Sequence, residues 1–506
     1  MPETFLVGPL LGFEGESSTG EFLYTVCFLT TAAVSDCRVV IDGVETAAVA
    51  VTPTPSGIFW RAVIPITRNG ASHSCRYQIK AGSSLISDRW GHDTWAFCVP
   101  GTSEHPRIAY ASCNGFSDPD AITKVSEPYK MWKSLRDAHQ DEPFMLCIMG
   151  GDQIYADEIW QSTKYAPTIV EWTLLPRPKR IAKRVSKKTE TELDRFYESL
   201  YIRHWGHEDM AHMFASVPTV MMWDDHDIFD GWGSYPSDMQ TCPYYQAIFA
   251  AAKKYFELFQ LRSTHNTTLL NRLNTHYSFG IQFGKYAVLG LDNRTNRSGS
   301  VIMGRENWAD VKNFLNGLQG KTDTVFILSA VPVVYRDFRF IEHVYDATPW
   351  EEELTDDLRD QWRSSYHEGE RMKLIMSLLD FQPAGQPSEI KRVILSGDVH
   401  VGCLGLITGH RNNGQQRFIH QVVSSAIVHP PPTWLEWQGI LVGSNDSPET
   451  LEAGTITTAL LKPYGAEKYL RSRNFAWFKE GTDQKLWVNW VCEDNSRAEY
   501  PITGSA

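Results

Sequence analysis

Six near-continuous apolar runs constrain this chain more than any other feature: Ile108-Ala109-Tyr110-Ala111, Phe144 to Met149, Val220-Met221-Met222-Trp223, Tyr286 to Leu291, Val325-Phe326-Ile327-Leu328 and Arg392-Val393-Ile394-Leu395. A run without polar alternation is a strand covered on both faces, and such strands belong to parallel sheets flanked by helices. Helical stretches are expected between them at 126–140, 191–213, 242–260, 305–318 and 350–380. The last is opened by Thr348 with Glu351 three residues on, a capping box. Alternating strands and helices over this length predict one large α/β (α+β) unit spanning 104–506.

Residues 1–103 read differently. Short alternating runs (Glu21 to Val26, Arg38 to Ile41, Gly57 to Val63) are separated by turn residues such as Asp42-Gly43 and Asn69-Gly70. That spacing predicts an all-β sandwich domain used for packing or docking. With 506 residues, two or more packed units are expected.

Charge and cysteine usage limit the function. The net charge of −12 disfavours general nucleic-acid binding, which needs a basic face, but leaves room for a pocket taking a small phosphorylated substrate. Arg177, Lys179, Arg180, Lys183, Arg184, Lys187 and Lys188 break the acidic average; they read as a solvated insertion loop and helix start, with an anionic-substrate or membrane-surface contact as the functional alternative. No apolar stretch is long enough for a transmembrane helix, and no export signal is visible. Nine cysteines without a C-x-x-C pair suit free thiols in a reducing, cytoplasmic setting. A periplasmic or secreted setting would require a leader already removed.

Each buried run ends in polar residues able to bind metal, which is where an open α/β sheet places its ligands. The order is Ser112-Cys113-Asn114, Gly151-Asp152-Gln153-Ile154-Tyr155, Asp224-Asp225-His226-Asp227, Asp292-Asn293-Arg294 and Gly397-Asp398-Val399-His400. Buried charges are costly unless paired or metal-bound, so the repetition points to a metal centre. Two ions about 3.5–4 Å apart need a bridging carboxylate and anionic donors, and they acidify a water that attacks phosphorus. Asp152 is the natural bridge, with Tyr155 and Cys113 within reach of the same ion. Thiolate, phenolate and carboxylate together suit Fe(III), while an oxygen-rich second site suits Ca²⁺ or another divalent ion.

The ordered motifs S-C-N, G-D-x-I-Y, D-D-H-D, D-x-R and G-D-x-H resemble those of PhoD-like phosphatases, the alkaline phosphatase D branch of the calcineurin-like metallophosphoesterases. The resemblance covers roughly residues 106–440. It implies a calcineurin-like β-sandwich flanked by helices, preceded by a β-rich domain, and an iron and calcium pair. It assigns Cys113, Asp152, Tyr155, Asp225, Asp398 and His400 to metal and makes His226 the histidine that contacts phosphate and protonates the leaving group. Arg294 resembles the arginine of the D-x-R element, where a guanidinium fork suits phosphate; Arg297 and Asn114 join it as expected substrate contacts, with pairing to Asp292 or a nearby carboxylate as the alternative for both arginines. His429, in a Pro-rich stretch, reads as a surface-loop residue, with entry into the site from the C-terminal segment as the alternative.

The resulting expectation is a phosphoester hydrolase, acting on monoesters, diesters or both through a metal-activated hydroxide. A purple-acid-type dinuclear phosphatase and a non-catalytic binding protein on a phosphatase fold stand as alternatives. Oligomeric state is left open.

Overall fold

A computed structural model describes residues 5–263, 265–318, 320, 322–337, 361–383, 389–410 and 415–505. The apolar runs form two parallel cores, one in each of two large sheets. In the first sheet, Ile108–Ala111, Leu146–Gly150 and Thr219–Met222 lie side by side and parallel. In the second, Tyr286–Gly290, Thr324–Leu328, Lys391–Ser396 and Gln416–Val423 do the same.

Alternate residues explain why the runs are apolar throughout. From the second sheet, Val288, Phe326, Leu328, Val393 and Leu395 share a core with Tyr110 and Ile148 of the first. Their neighbours Leu289, Val325, Ile327 and Ile394 face the other way, packing with Trp308, Val311, Leu374 and Leu378. Those last residues come from helices Arg305–Gly317 and Glu368–Asp380. The first sheet is backed by Lys130–Asp141, Lys187–His204 and Glu208–Ser216, whose Trp132, Leu135, Leu193, Met210 and Met213 join its core. The fold is a sandwich of two sheets flanked by helices, as expected.

The N-terminal region is β-rich, but the expected boundary at 103/104 does not interrupt the sheet. Val7–Glu16 pairs parallel to Thr219–Met222, and Phe22–Thr31, Gly57–Ile66 and Val49–Pro53 extend the same ten-stranded sheet. Phe13 and Phe22 pack on Phe283 of the second sheet at 4.8 and 5.3 Å. Alternation in sequence identifies a strand but not its partner. The Asp42-Gly43 turn does close a hairpin, between Cys37–Ile41 and Val44–Ala47 in a separate five-stranded sheet. Toward the opposite edge of the ten-stranded sheet, Asn474–Glu480 pairs with Ile108–Ala111, and Leu486–Cys492 and Arg497–Ile502 lie beyond it.

Among the helices, 191–213 is two elements, Lys187–His204 and Glu208–Ser216. The break seats Trp205, whose indole N–H donates to Gln153 O at 3.1 Å. The expected 350–380 helix is observed as Glu368–Asp380; its proposed start, with Thr348 and Glu351, falls outside the described residues. The basic segment includes a short helix, Arg177–Ala182, rather than only a loop. Arg177, Lys187 and Lys188 pair with Asp238, Glu190 and Glu192, a solvated surface in keeping with the first reading. The nine cysteines, all among the described residues, form no disulfide. Among the described residues, no helix is long and apolar enough to cross a membrane.

Candidate metal centre

The carboxyl ends of parallel strands from both sheets converge on one site. Cys113 follows Ile108–Ala111, Asp152 follows Leu146–Gly150, Asp224 and Asp225 follow Thr219–Met222, and Asp398 and His400 follow Lys391–Ser396. Cys113, Asp152, Asp398 and His400 all adopt left-handed backbone conformations, with φ of 54°, 53°, 64° and 51°. Non-glycine residues rarely occupy that region, and their clustering marks a place where geometry is held against local preference. The loops interlock: Asn114 N–H donates to Asp152 O at 2.7 Å and Cys113 N–H to Gly151 O at 3.2 Å. Gly397 is required here because a Cβ would run into Ser112 and crowd Cys113 Sγ.

Ligand atoms of Asp152, Asp225 and His226 lie within 4.8 Å of one another, and so do those of Asp224, Asp225 and Asp398. Asp225 belongs to both groups. Asp152 Oδ1 is buried without a hydrogen-bond partner among the described residues, although Oδ2 lies 3.5 Å from Cys113 Sγ. The sulfur receives the Asp398 N–H at 3.2 Å and lies 3.1 Å from Ser425 Oγ. Tyr155 Oη is 3.2 Å from His400 Nε2. Burial, reinforced by the charge of Asp224, pushes the Asp152 carboxyl up; burial, reinforced by Asp152, does the same to the Cys113 thiol. Asp152 is crowded by other buried acids, and its orphaned carboxylate oxygen beside a thiol, a phenol and imidazoles fits a cation.

His226 stacks on Tyr155 with ring centroids 4.3 Å apart, and its Nδ1 is 2.7 Å from Asp157 Oδ2. Burial alone would lower the imidazole pKa, but Asp157, Asp230 and Asp225 together hold it well above the usual value. Asp157 was not singled out in sequence because only the fold turns it toward His226. Asp224 was visible beside Asp225 but received no role.

Three residues have surroundings that bear on their readings. Arg294 is wholly buried, with its guanidinium on Asp224 and, at 3.3 Å, on Asp225, which is the carboxylate-pairing alternative. Asn114 is equally buried: its Oδ1 accepts the Trp132 indole N–H at 2.8 Å and its Nδ2 faces Gln153 O and Met210 Sδ. His429 lies on a loop but follows the alternative reading: it stacks on His400 at 3.6 Å and lies 5.5 Å from the Tyr155 ring. Arg297 is buried, its side chain filling the space that a Cβ on Gly233 would need. Asp227 joins loops: its carboxylate accepts from the N–H groups of Gln153, Ile154 and Asp224 and from Gln260.

An uncharacterised protein of Saccharomyces cerevisiae, YGR266W, is 24% identical over 424 residues, which cover 67% of this chain and 59% of that protein. The solved structure of PhoD superposes with a TM-score of 0.56 at 13% identity, covering 100% of this chain and 93% of that one, and so shares the fold. A purple acid phosphatase from yellow lupin superposes with a TM-score of 0.49 at 11% identity, covering 98% of this chain and 73% of that one. The family model for PhoD related phosphatase matches residues 80–351 and 348–438, most of the chain and every strand end described above, and the chain belongs to that family.

Proposed function

We propose that this chain is a metal-dependent hydrolase of small phosphoesters. The observation that carries the reading is the convergence of Asp152, Asp224, Asp225 and Asp398 around an orphaned carboxylate oxygen, with Cys113 and Tyr155 beside it. Cys113, Asp152 and Tyr155 would hold Fe(III), and Asp225 and Asp398, with Asp224 beside them, would hold a hard divalent ion such as Ca²⁺; His400 completes the set. When bound, the ions supply positive charge that neutralises the phosphoryl oxygens and acidifies water.

The protein's own groups do the rest. Asp157 accepts a hydrogen bond from Nδ1 of His226, which orients the ring and keeps it protonated, so Nε2 can donate to the departing oxygen. Arg294 holds Asp224 and Asp225 in place and offsets part of their repulsion. The test is turnover of a nitrophenyl phosphate monoester and diester before and after chelation, with metal analysis of the purified protein. Activity lost on chelation and restored by iron and calcium is expected, with Cys113→Ala losing iron and most turnover while still folded. A folded, metal-loaded protein that cleaves neither ester overturns the reading.

A further inference from the structure

A cleft of about 210 Å³ opens beside Tyr155. It is smaller than the ~300–1,000 Å³ typical of a pocket that encloses a whole ligand, so it suits one part of a substrate. Tyr155 belongs to both places: its ring stacks on His226 at 4.3 Å and also lines the cleft. The cleft therefore begins where the candidate metal centre ends. Gly115 makes the shared wall possible, since a Cβ there would run into the Tyr155 ring.

The other walls are aromatic and aliphatic: Phe116, Tyr129, Ile122 and Leu200. Tyr129 is fixed by stacking on His207 at 4.0 Å and by its hydroxyl, 3.3 Å from His204 Nδ1. The charged residues lining the cleft, Arg203 and Glu158, are paired with each other. Aromatic walls with their charges mutually neutralised favour a flat, uncharged ring, because stacking is gained there without stripping water from an ion.

We propose that this cleft is the subsite for the alcohol half of the phosphoester and that it selects an aromatic leaving group. The proposal rests on the phosphoesterase reading above. Water adds to phosphorus, the P–O bond to the aromatic alcohol breaks with its electron pair staying on oxygen, that oxygen takes a proton from His226, and the proton released by the water restores His226 through solvent, leaving phosphate and the free alcohol. A larger cavity of about 770 Å³, lined by Trp308, Leu315, Leu374 and Phe381, shares no residue with the cluster and is not needed for this selection.

The experiment compares an aryl phosphate with a fluorinated alkyl phosphate of matched leaving-group pKa, in the wild-type protein and in Tyr129→Ala and Ile122→Trp. Tyr129→Ala removes a wall; Ile122→Trp adds bulk at a residue that is already 36% exposed and does not depend on the first variant folding. The wild type should favour the aryl ester in kcat/KM by about tenfold or more, the size of one stacking contact, and each folded variant should lose most of that ratio. Equal wild-type rates for the two esters, or variants that slow both alike, overturn the subsite while leaving the phosphoesterase reading intact. Turnover of neither ester by metal-loaded wild type overturns both.

Discussion

Asp152 and Asn114 stand on neighbouring loops, joined by a backbone hydrogen bond, and both are buried; yet they are in opposite chemical states. Asn114 has partners for both ends of its amide. Asp152 keeps an oxygen without one and sits among other carboxylates. Arg294 and Asp227 resemble Asn114: buried polar groups whose partners are protein. The comparison teaches that burial and strand-end position do not separate function from architecture. Saturation marks the difference between these two: both ends of the Asn114 amide have protein partners, while Asp152 Oδ1 has none among the described residues and stands beside other possible metal ligands.

The comparison is tested hardest at Asp152. Asp152→Asn should lower phosphoester turnover by about 10³-fold or more, as expected when a shared ligand is lost. In chelated protein the same change should raise the thermal midpoint, since it removes a charge that burial and Asp224 disfavour. The raised Asp152 carboxyl pKa takes stability from the chelated wild type as pH climbs above the ordinary carboxylate range, beside a similar contribution from Asp227, whose carboxyl burial pushes up to about 7; the amide should remove the Asp152 part of that decline. A lower midpoint for Asp152→Asn in chelator would break the contrast.

His226→Ala should cost ~10²–10⁴-fold in turnover, least for esters with good leaving groups, while metal content stays near normal. Equal losses across a leaving-group series would remove the acid role.

Arg294 sharpens the other side. Arg294→Ala leaves Asp224 buried without its partner and should destabilise the protein by about 3–5 kcal/mol. Arg294→Lys should be milder in thermal denaturation, and inhibition of the folded variant by inorganic phosphate should match wild type. A weakened phosphate inhibition at unchanged stability would return Arg294 to the substrate.

The smallest effect belongs to the basic segment. Lys179→Ala, at an exposed position, should change stability by no more than about 0.5 kcal/mol and leave the KM for a small phosphoester unchanged. A several-fold rise in KM would give that segment a part in binding substrate.

Sequence alone determined which segments are buried parallel strands, in what order they come, and which residue types stand at their ends. These are local signals: an apolar run without alternation, followed by Cys, Asp or His, reads the same wherever the chain later folds. The family motifs were legible for the same reason. What each end faces was decided by tertiary structure. Cys113 Sγ receives an N–H from Asp398, 285 residues later, and lies beside Ser425 Oγ, 312 residues later. Contacts between segments less far apart, but still beyond any local pattern, direct Arg294 to Asp224, turn Asp157 toward His226 and stack His429 on His400. They also join Val7–Glu16 to the sheet that carries the site, across a boundary that composition suggested. Residue type sets what a side chain can bind. The pairing of distant strands settles whether a partner from the protein already occupies it, and that separates Asp152 from Asn114.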